Sequence, residues 1–494
     1  MTARARVPAD TLSPPMAVRE LTALSAEQAL ALLERREISP LELVDAALER
    51  IEATDGALNA IPTLCSERAR AHARRLMEAP QEGSSPAGRL AGLPIAVKDL
   101  TDVAGVRTTY GSPIYQDHVP ERSDLLVERL EERGGIVVGK SNTPEFGAGA
   151  NTFNEVFGET RNPWNTALTP GGSSGGSAAA LAAGQVWLAT GSDLGGSLRT
   201  PASFCGVVGL RPSPGRVASG PRQLPFDTLA VDGPMARTVR DVALFLDAMA
   251  GAHPEDPVAL DAPSEPFLRA AASPRLPARV AFSEDLGLSP VDPEVRRLCR
   301  AAAELVGGQG ADVAEACPDL SDAPETFGVL RAASFAADLG PEYDAHRELL
   351  KPDVVWNVEY GRSLTADAIG RAERARGDLF RRVVAFFDDF DLLLCPAACV
   401  PPFDVRTRWI RELEGVVFES YVEWLRVTYA ITLTACPALS LPCGFTADGR
   451  PVGVQLVGRP RGEAALLAAA AALEELVAVT PLLPIDPREP ADPD

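Results

Sequence analysis

Apolar residues recur at helical spacing over residues 25–34 and 39–53, and the second run opens on Ser39-Pro40-Leu41-Glu42, a capping box with proline at the first helical position. A third amphipathic pattern covers 66–77, and the loop EGSSPAGR follows it. Short β-rich runs then alternate with helical ones. The run from Gly92 ends in the charged pair Lys98-Asp99, residues 123–133 read as a helix closing on Gly134-Gly135, and 136–139 read as a strand with Lys140 at its end. Beyond these, helices are predicted over 177–183, 238–250, 292–305, 325–350, 365–388 and 463–477. Strands are predicted over 186–190, 207–210, 391–394, 438–441 and 452–457. A Pro/Gly-rich loop follows the strand 207–210, and 251–278 reads as loop. Such alternation predicts an α/β protein whose sheet is covered by helices.

With 494 residues, length alone allows two or three domains, yet no linker divides the chain and one large core accounts for it. Residues 1–20 read as a mobile N-terminal extension, 21–480 as a single domain with a mainly helical cap within about 290–390, and 481–494 as an acidic, proline-rich tail. The net charge of -21 argues against a nucleic-acid or anionic-membrane surface, because both need basic patches. No apolar run follows the early arginines and none reaches membrane-spanning length, so a cytoplasmic protein acting on a small molecule is expected. The eight cysteines show no disulfide-scaffold spacing. Cys395 and Cys399, in CPAAC, read as buried thiols rather than a zinc pair, since no second ligand pair is evident.

Chemistry concentrates in TPGGSSGGSAAALAAGQVWLATGSDLGGSLRTPA, residues 169–202, where Ser173 and Ser197 each sit among glycines at the two ends of one helix-strand unit. Residues 171 to 176, GGSSGG, satisfy the GxSxG form of a nucleophile elbow, but no strand precedes it, and the later histidines, His253 and His346, lie in a loop and a charged helical stretch. A phosphate-cradling loop would need a closing Gly-Lys-Ser/Thr that is absent. The remaining reading is a serine activated by a lysine. The lysines are Lys98, Lys140 and Lys351, and none completes an SxxK. Lys98, at the end of a buried strand, reads either as functional or as half of a salt bridge with Asp99 or another acid; Lys140 reads as a structural ion pair.

Taken together, GLPIAVKD, GGSSGGS, GSDLGGSLRTPA and CPALSLPCGFTADGRPVGVQLVG resemble the blocks of the amidase signature family of Ser-Ser-Lys amidohydrolases, and they span residues 92–458. The resemblance implies a single large mixed β-sheet core covered by helices on both faces. It implies Ser197 as nucleophile, Ser173 as a bridging serine beside a cis peptide, and Lys98 as base, with no metal and no cofactor. An oxyanion hole is implied at the backbone N–H groups of Leu194, Gly195, Gly196 and Ser197, with Ser174, Asp193 and Arg199 in support. Physical chemistry agrees: a serine hydroxyl needs a proton acceptor, and only a neutral amine can be one. Burial lowers a lysine from about 10.4, and a shift of roughly three units costs the charged form about 4 kcal/mol.

Within the family the chain is most similar to stand-alone bacterial amidases acting on apolar aryl or alkyl amides, a group that includes lactam-oligomer hydrolases and urethanases. The alternative is the glutaminase subunit of a tRNA-dependent amidotransferase, and a non-enzymatic scaffold is the reading of another class. A small-molecule amide is the expected partner, with no nucleic acid and no membrane, and a homodimer is compatible with the sequence. Cys436, where the family often has Asn or Gly, is a departure that bears on the substrate pocket rather than on the catalytic centre.

Overall fold

The computed structural model describes residues 16–78 and 87–490, so the first fifteen residues of the expected extension, the last four of the tail and most of the loop EGSSPAGR lie outside the described residues. An eleven-stranded mixed sheet forms the centre. Its strands are β1 (Thr63–Leu64), β2 (Pro94–Lys98), β3 (Ile136–Ser141), β4 (Leu188–Asp193), β5 (Val208–Arg211) and β6 (Val231–Ala236), then β7 (Arg279–Phe282), β8 (Asp312–Glu315), β9 (Leu392–Pro396), β10 (Ala438–Phe445) and β11 (Pro451–Val457). They lie in the order β1-β3-β2-β4-β6-β5-β10-β11-β9-β7-β8. β2 runs parallel to β3 and β4, and β7 parallel to β8 and β9, while the strands between those groups pair antiparallel.

Alternation along the strands separates two apolar layers. Ile95 and Val97 of β2 and Val137 of β3 enter one cluster, together with the helix Val239–Met249. Ala96, Ile136 and Val138 enter the other, with the helix Gly175–Ala182. Successive strand residues point to opposite faces, so a sheet with both faces apolar must be covered on both sides.

The helix predicted over 238–250 is Val239–Met249, capped by Thr238 Oγ1, which accepts from the Asp241 N–H at 3.1 Å. The helix predicted over 325–350 is broken into Ala323–Asp338 and Gly340–His346, because Pro341 starts the second and cannot continue the first. Strand β6 lies within the stretch expected to be loop, where Gly233 and Pro234 argue against a strand. It forms because β5 pairs only with Met235 and Ala236, so the missing Pro234 N–H falls where that ladder has ended. Gly233 in turn is required by close approach, since a Cβ there would stand 2.4 Å from the Leu210 carbonyl oxygen. A short helix, Phe267–Ala271, interrupts the other stretch read as loop.

Two boundaries also differ from expectation. The helix Val18–Ala23 starts inside the expected extension and buries Leu21, so residues 18–20 belong to the folded body. Part of the tail is tied down as well: the Ile485 N–H donates to the Ala182 carbonyl at 2.9 Å and the Arg488 N–H to that of Pro163 at 3.0 Å. The segment 290–390 is helical apart from β8, which joins the sheet edge.

Candidate active site

β2 ends at Lys98, beside β4, which ends at Asp193. The apolar run Ile95-Ala96-Val97 drives β2 into the middle of the sheet and carries Lys98 with it, leaving the lysine 1% exposed. Its Nζ meets three hydroxyls and no carboxylate: Ser173 Oγ at 2.7 Å, Ser174 Oγ at 2.9 Å and Ser192 Oγ at 3.0 Å. Burial depresses the amine to about 7, against the opposing pull of Asp232 and then Asp193. A neutral amine has two N–H donors and one lone pair, so three hydroxyls satisfy it fully when one of them donates.

The alternative salt bridge from Lys98 to Asp99 is not formed. Adjacent strand residues face opposite ways, and Asp99 takes Lys140 Nζ at 3.0 Å, along with the Thr109 hydroxyl at 2.5 Å and the Thr109 N–H at 3.1 Å. Lys140 also donates to Thr108 Oγ1 at 2.7 Å and is fully buried, so it is the structural ion pair.

Ser173 and Ser174 stand at the start of the helix Gly175–Ala182, and the Gly172–Ser173 peptide is cis. The glycines admit close packing here: a Cβ on Gly176 would lie 2.3 Å from the Asn142 backbone nitrogen. The chain then returns through β4, and the Ser174 N–H donates to the Ser197 carbonyl at 3.3 Å, closing the helix-strand unit on itself. Ser197 is half-buried and shares with Ser173 and Ser192 the wall of a cleft of about 310 Å³.

The loop carrying Ser197 is wound around Asp193. Its Oδ1 accepts from the Gly196 N–H at 2.9 Å and its Oδ2 from the Leu198 N–H at 3.1 Å. Arg199 reaches both oxygens, Nη2 to Oδ1 at 2.8 Å and Nε to Oδ2 at 3.0 Å. It spends its other donors on the Thr428 carbonyl at 2.8 Å, Gln455 Oε1 at 2.6 Å and Thr432 Oγ1 at 3.1 Å. Arg211 adds a second guanidinium, on the Asp193 backbone carbonyl and carboxylate. Burial alone would raise the Asp193 carboxyl; Arg199 and Arg211 outweigh it and hold the group well below the usual carboxylate range.

One expectation for this loop is corrected. The Gly196 N–H belongs to Asp193, whereas the N–H groups of Leu194, Gly195 and Ser197, residues that line the cleft, make no hydrogen bond among the described residues. Gly196 has φ +122°, and a Cβ there would stand 2.4 Å from Thr428 Oγ1, which itself donates to the Gly195 carbonyl at 2.6 Å. Only glycine fits that bend.

Sequence reasoning missed Ser192, Thr190, Arg211, Thr428 and Gln455. The first two were legible, because strand alternation sets Thr190 and Ser192 on one side of β4, where Thr190 Oγ1 accepts the Lys98 N–H at 3.0 Å. The others come from distant segments and carry no local signal. A further part of the cleft wall was missed too: Phe327, Arg331, Phe335 and Asp338 of the helix Ala323–Asp338 line it together with Tyr421 and Leu425. Cys436 is buried and stands outside that wall. Cys395 and Cys399 are buried free thiols, and among the described residues no group of three or more His, Cys, Asp or Glu is placed to hold a metal ion. No helix among the described residues is long and apolar enough to cross a membrane.

The model of the Amidase family matches residues 42–467. An acylamidase of Rhodococcus erythropolis is 36% identical over 462 residues, covering 93% of this chain and 96% of that protein. One subunit of the glutamyl-tRNA(Gln) amidotransferase of Synechococcus sp. (strain CC9605) is 36% identical over 480 residues, covering 90% and 95%. Among solved structures, a bacterial aryl acylamidase belonging to the amidase signature enzymes superposes with a TM-score of 0.85 at 28% identity, covering 94% of this chain and all of that one.

Proposed function

The chain belongs to the amidase signature family and is an amidohydrolase, and from that premise we propose that it cleaves the C–N bond of apolar aryl or alkyl amides, carbamates and lactam oligomers through an acyl-enzyme on Ser197. The observation that carries this reading is the buried Lys98 amine, depressed by burial to about 7 and bonded to hydroxyls alone, two of which, Ser173 and Ser192, line the same cleft as Ser197. Neutral Lys98 takes the Ser173 proton as Ser173 takes that of Ser197, and the freed Ser197 oxygen attacks the carbonyl carbon. The N–H groups of Leu194, Gly195 and Ser197 receive the developing oxyanion, each good donor being worth about 3 kcal/mol. Collapse expels the amine, which takes its proton back through Ser173, and water then releases the acyl group by the same relay. Ser174 and Ser192 hold the Lys98 amine in place, and Asp193 with Arg199 holds the loop.

Neither metal nor cofactor enters this scheme. We read the protein as a cytoplasmic enzyme acting on small molecules, without nucleic acid or membrane, and compatible with a homodimer. A second reading rests on the equal identity to the amidotransferase relative: a glutaminase that works with partner subunits. The test is a panel of anilides, primary amides, carbamates and glutamine given to the purified chain, with a fluorophosphonate label located by mass spectrometry. Release of amine by the chain alone and a label on Ser197 support the proposal. A label on Ser173 or Ser174 overturns the nucleophile, and glutamine hydrolysis appearing only with partner subunits favours the second reading.

A further inference from the structure

One charged side chain in the cleft plays no part in that scheme. Arg331 is only 6% exposed, it lines the same cleft as Ser197, and among the described residues it ion-pairs with no carboxylate. Its Nη1 donates to Asn357 Oδ1 and its Nη2 to the Tyr421 hydroxyl at 2.6 Å, while its plane lies over the Phe335 ring, 4.1 Å from the centroid. The Asn357 amide cannot be turned round, because its Nδ2 donates to the Asp353 carbonyl and to the Tyr421 hydroxyl, each at 2.6 Å. The Tyr421 oxygen therefore accepts two hydrogen bonds and its own proton has no acceptor among the described residues. The Tyr421 proton and the remaining guanidinium hydrogens thus have no carboxylate bonded to them; Asp353, whose charge reaches Tyr421, is ion-paired with Lys351.

Stacking on Phe335 and Tyr421 stabilises the face of the guanidinium but leaves its edge unanswered. A buried cation that meets only neutral partners is costly unless an anion completes it. Asp338 marks the other pole of this wall. It stands seven residues on along the same helix and forms no ion pair with Arg331; the charges that act on it are those of Asp227, Arg222 and Glu342, so it leaves Arg331 unneutralised.

We propose that Arg331 and Tyr421 form a carboxylate subsite in the wall of the cleft, so that the preferred substrates are amides with an apolar body and a carboxylate remote from the scissile bond. The guanidinium fork and the hydroxyl bind the two carboxylate oxygens, and Phe327 and Phe335 cover the apolar body between that subsite and Ser197. The inference rests on the hydrolase reading above and deepens it, naming what the same site recognises.

The test uses two isosteric pairs that place the charge on either side of the scissile bond: glutaric mono-4-nitroanilide against valeric 4-nitroanilide, and N-acetyl-4-aminobenzoate against N-acetyl-4-methylaniline. The readout is the ratio of kcat/KM for acid over neutral substrate. In one pair the wild type favours the acid by about tenfold or more, and Arg331→Met brings that ratio near one, chiefly through KM. Tyr421→Phe lowers it in part, and Arg331→Lys keeps part of it, which serves if the methionine variant fails to fold. A ratio unchanged in Arg331→Met, or absent from the wild type while neutral amides turn over, overturns the subsite and leaves the hydrolase reading standing. Failure of the wild type on all four amides counts against the hydrolase reading instead. The subsite is then decided by calorimetry with glutarate and benzoate on Ser197→Ala: saturable binding lost in Ser197→Ala/Arg331→Met upholds it, and no binding overturns it.

Discussion

Lys98 Nζ lies 2.7 Å from Ser173 Oγ with no carboxylate bonded to it, while its neighbour Asp99, one residue on, is ion-paired with Lys140 on the opposite side of the strand. One strand end thus presents an amine that can lose its proton next to a carboxylate committed elsewhere.

Turnover should therefore rise with pH through about 7, where the depressed Lys98 amine becomes neutral and gains the lone pair that accepts a proton. The sign follows from which form reacts: below that value the ammonium cannot act as a base, and above it the amine can. Lys98→Arg should be nearly as inactive as Lys98→Ala, because guanidinium keeps its proton throughout this range. The check is a pH-rate profile of each variant beside wild type, and an active Lys98→Arg enzyme would move the base elsewhere.

Lys140 should behave in the opposite way. Lys140→Met leaves Asp99 buried without its cation and should cost about 3–5 kcal/mol of stability, read as a lower urea midpoint. Lys98→Met removes no ion pair and should lose turnover by several orders of magnitude with a smaller change in midpoint. Equal losses of stability in the two variants would refute the division of labour.

Asp193→Asn should destabilise the fold by a similar ~3–5 kcal/mol, since Arg199 and Arg211 are left facing a neutral amide. The Asp193 carboxyl is held below its ordinary 3.8, so its contribution is present above that value and is lost as pH falls further. Urea midpoints of the two proteins should accordingly differ most near neutrality and converge in acid.

Much of this site could be read from the chain because it is built from contiguous blocks. A lysine closing the apolar run Pro94–Val97, and serines bracketed by glycines, carry their chemistry in the local sequence, as did the helix ending at Val477. What escaped depends on tertiary approach. Pro234 hid a central strand because its missing N–H costs nothing only where β5 has ended, and the Gly196 N–H was misassigned because its acceptor, Asp193, folds back through a turn. Arg331 had no signal at all, since its meaning comes from Asn357 and Tyr421 and from the cleft they line together.

Gly196→Ala should lower kcat by tenfold or more, because the new Cβ meets Thr428 Oγ1 and demands a left-handed backbone of a residue that resists it. Gly328→Ala, on the helix Ala323–Asp338, meets nothing within 4 Å and serves as a control in which kcat and midpoint both stay close to wild type. Equal kinetics in the two variants would show that the bend does not position the loop.

The Arg199 clamp carries a consequence for how the enzyme comes into being. Lys98, Ser173 and Ser197 all leave the ribosome early, but Arg199, besides Asp193, needs acceptors on Thr428, Thr432 and Gln455, the last of them 256 residues further on. A nascent or truncated chain ending before residue 426 holds Lys98, Ser173, Ser197 and the Asp193–Arg199 pair, but lacks the acceptors that fix the far side of the Arg199 guanidinium. Under the proposed function, hydrolytic competence should therefore arise only late in translation, and a fragment ending at residue 425 should be inert.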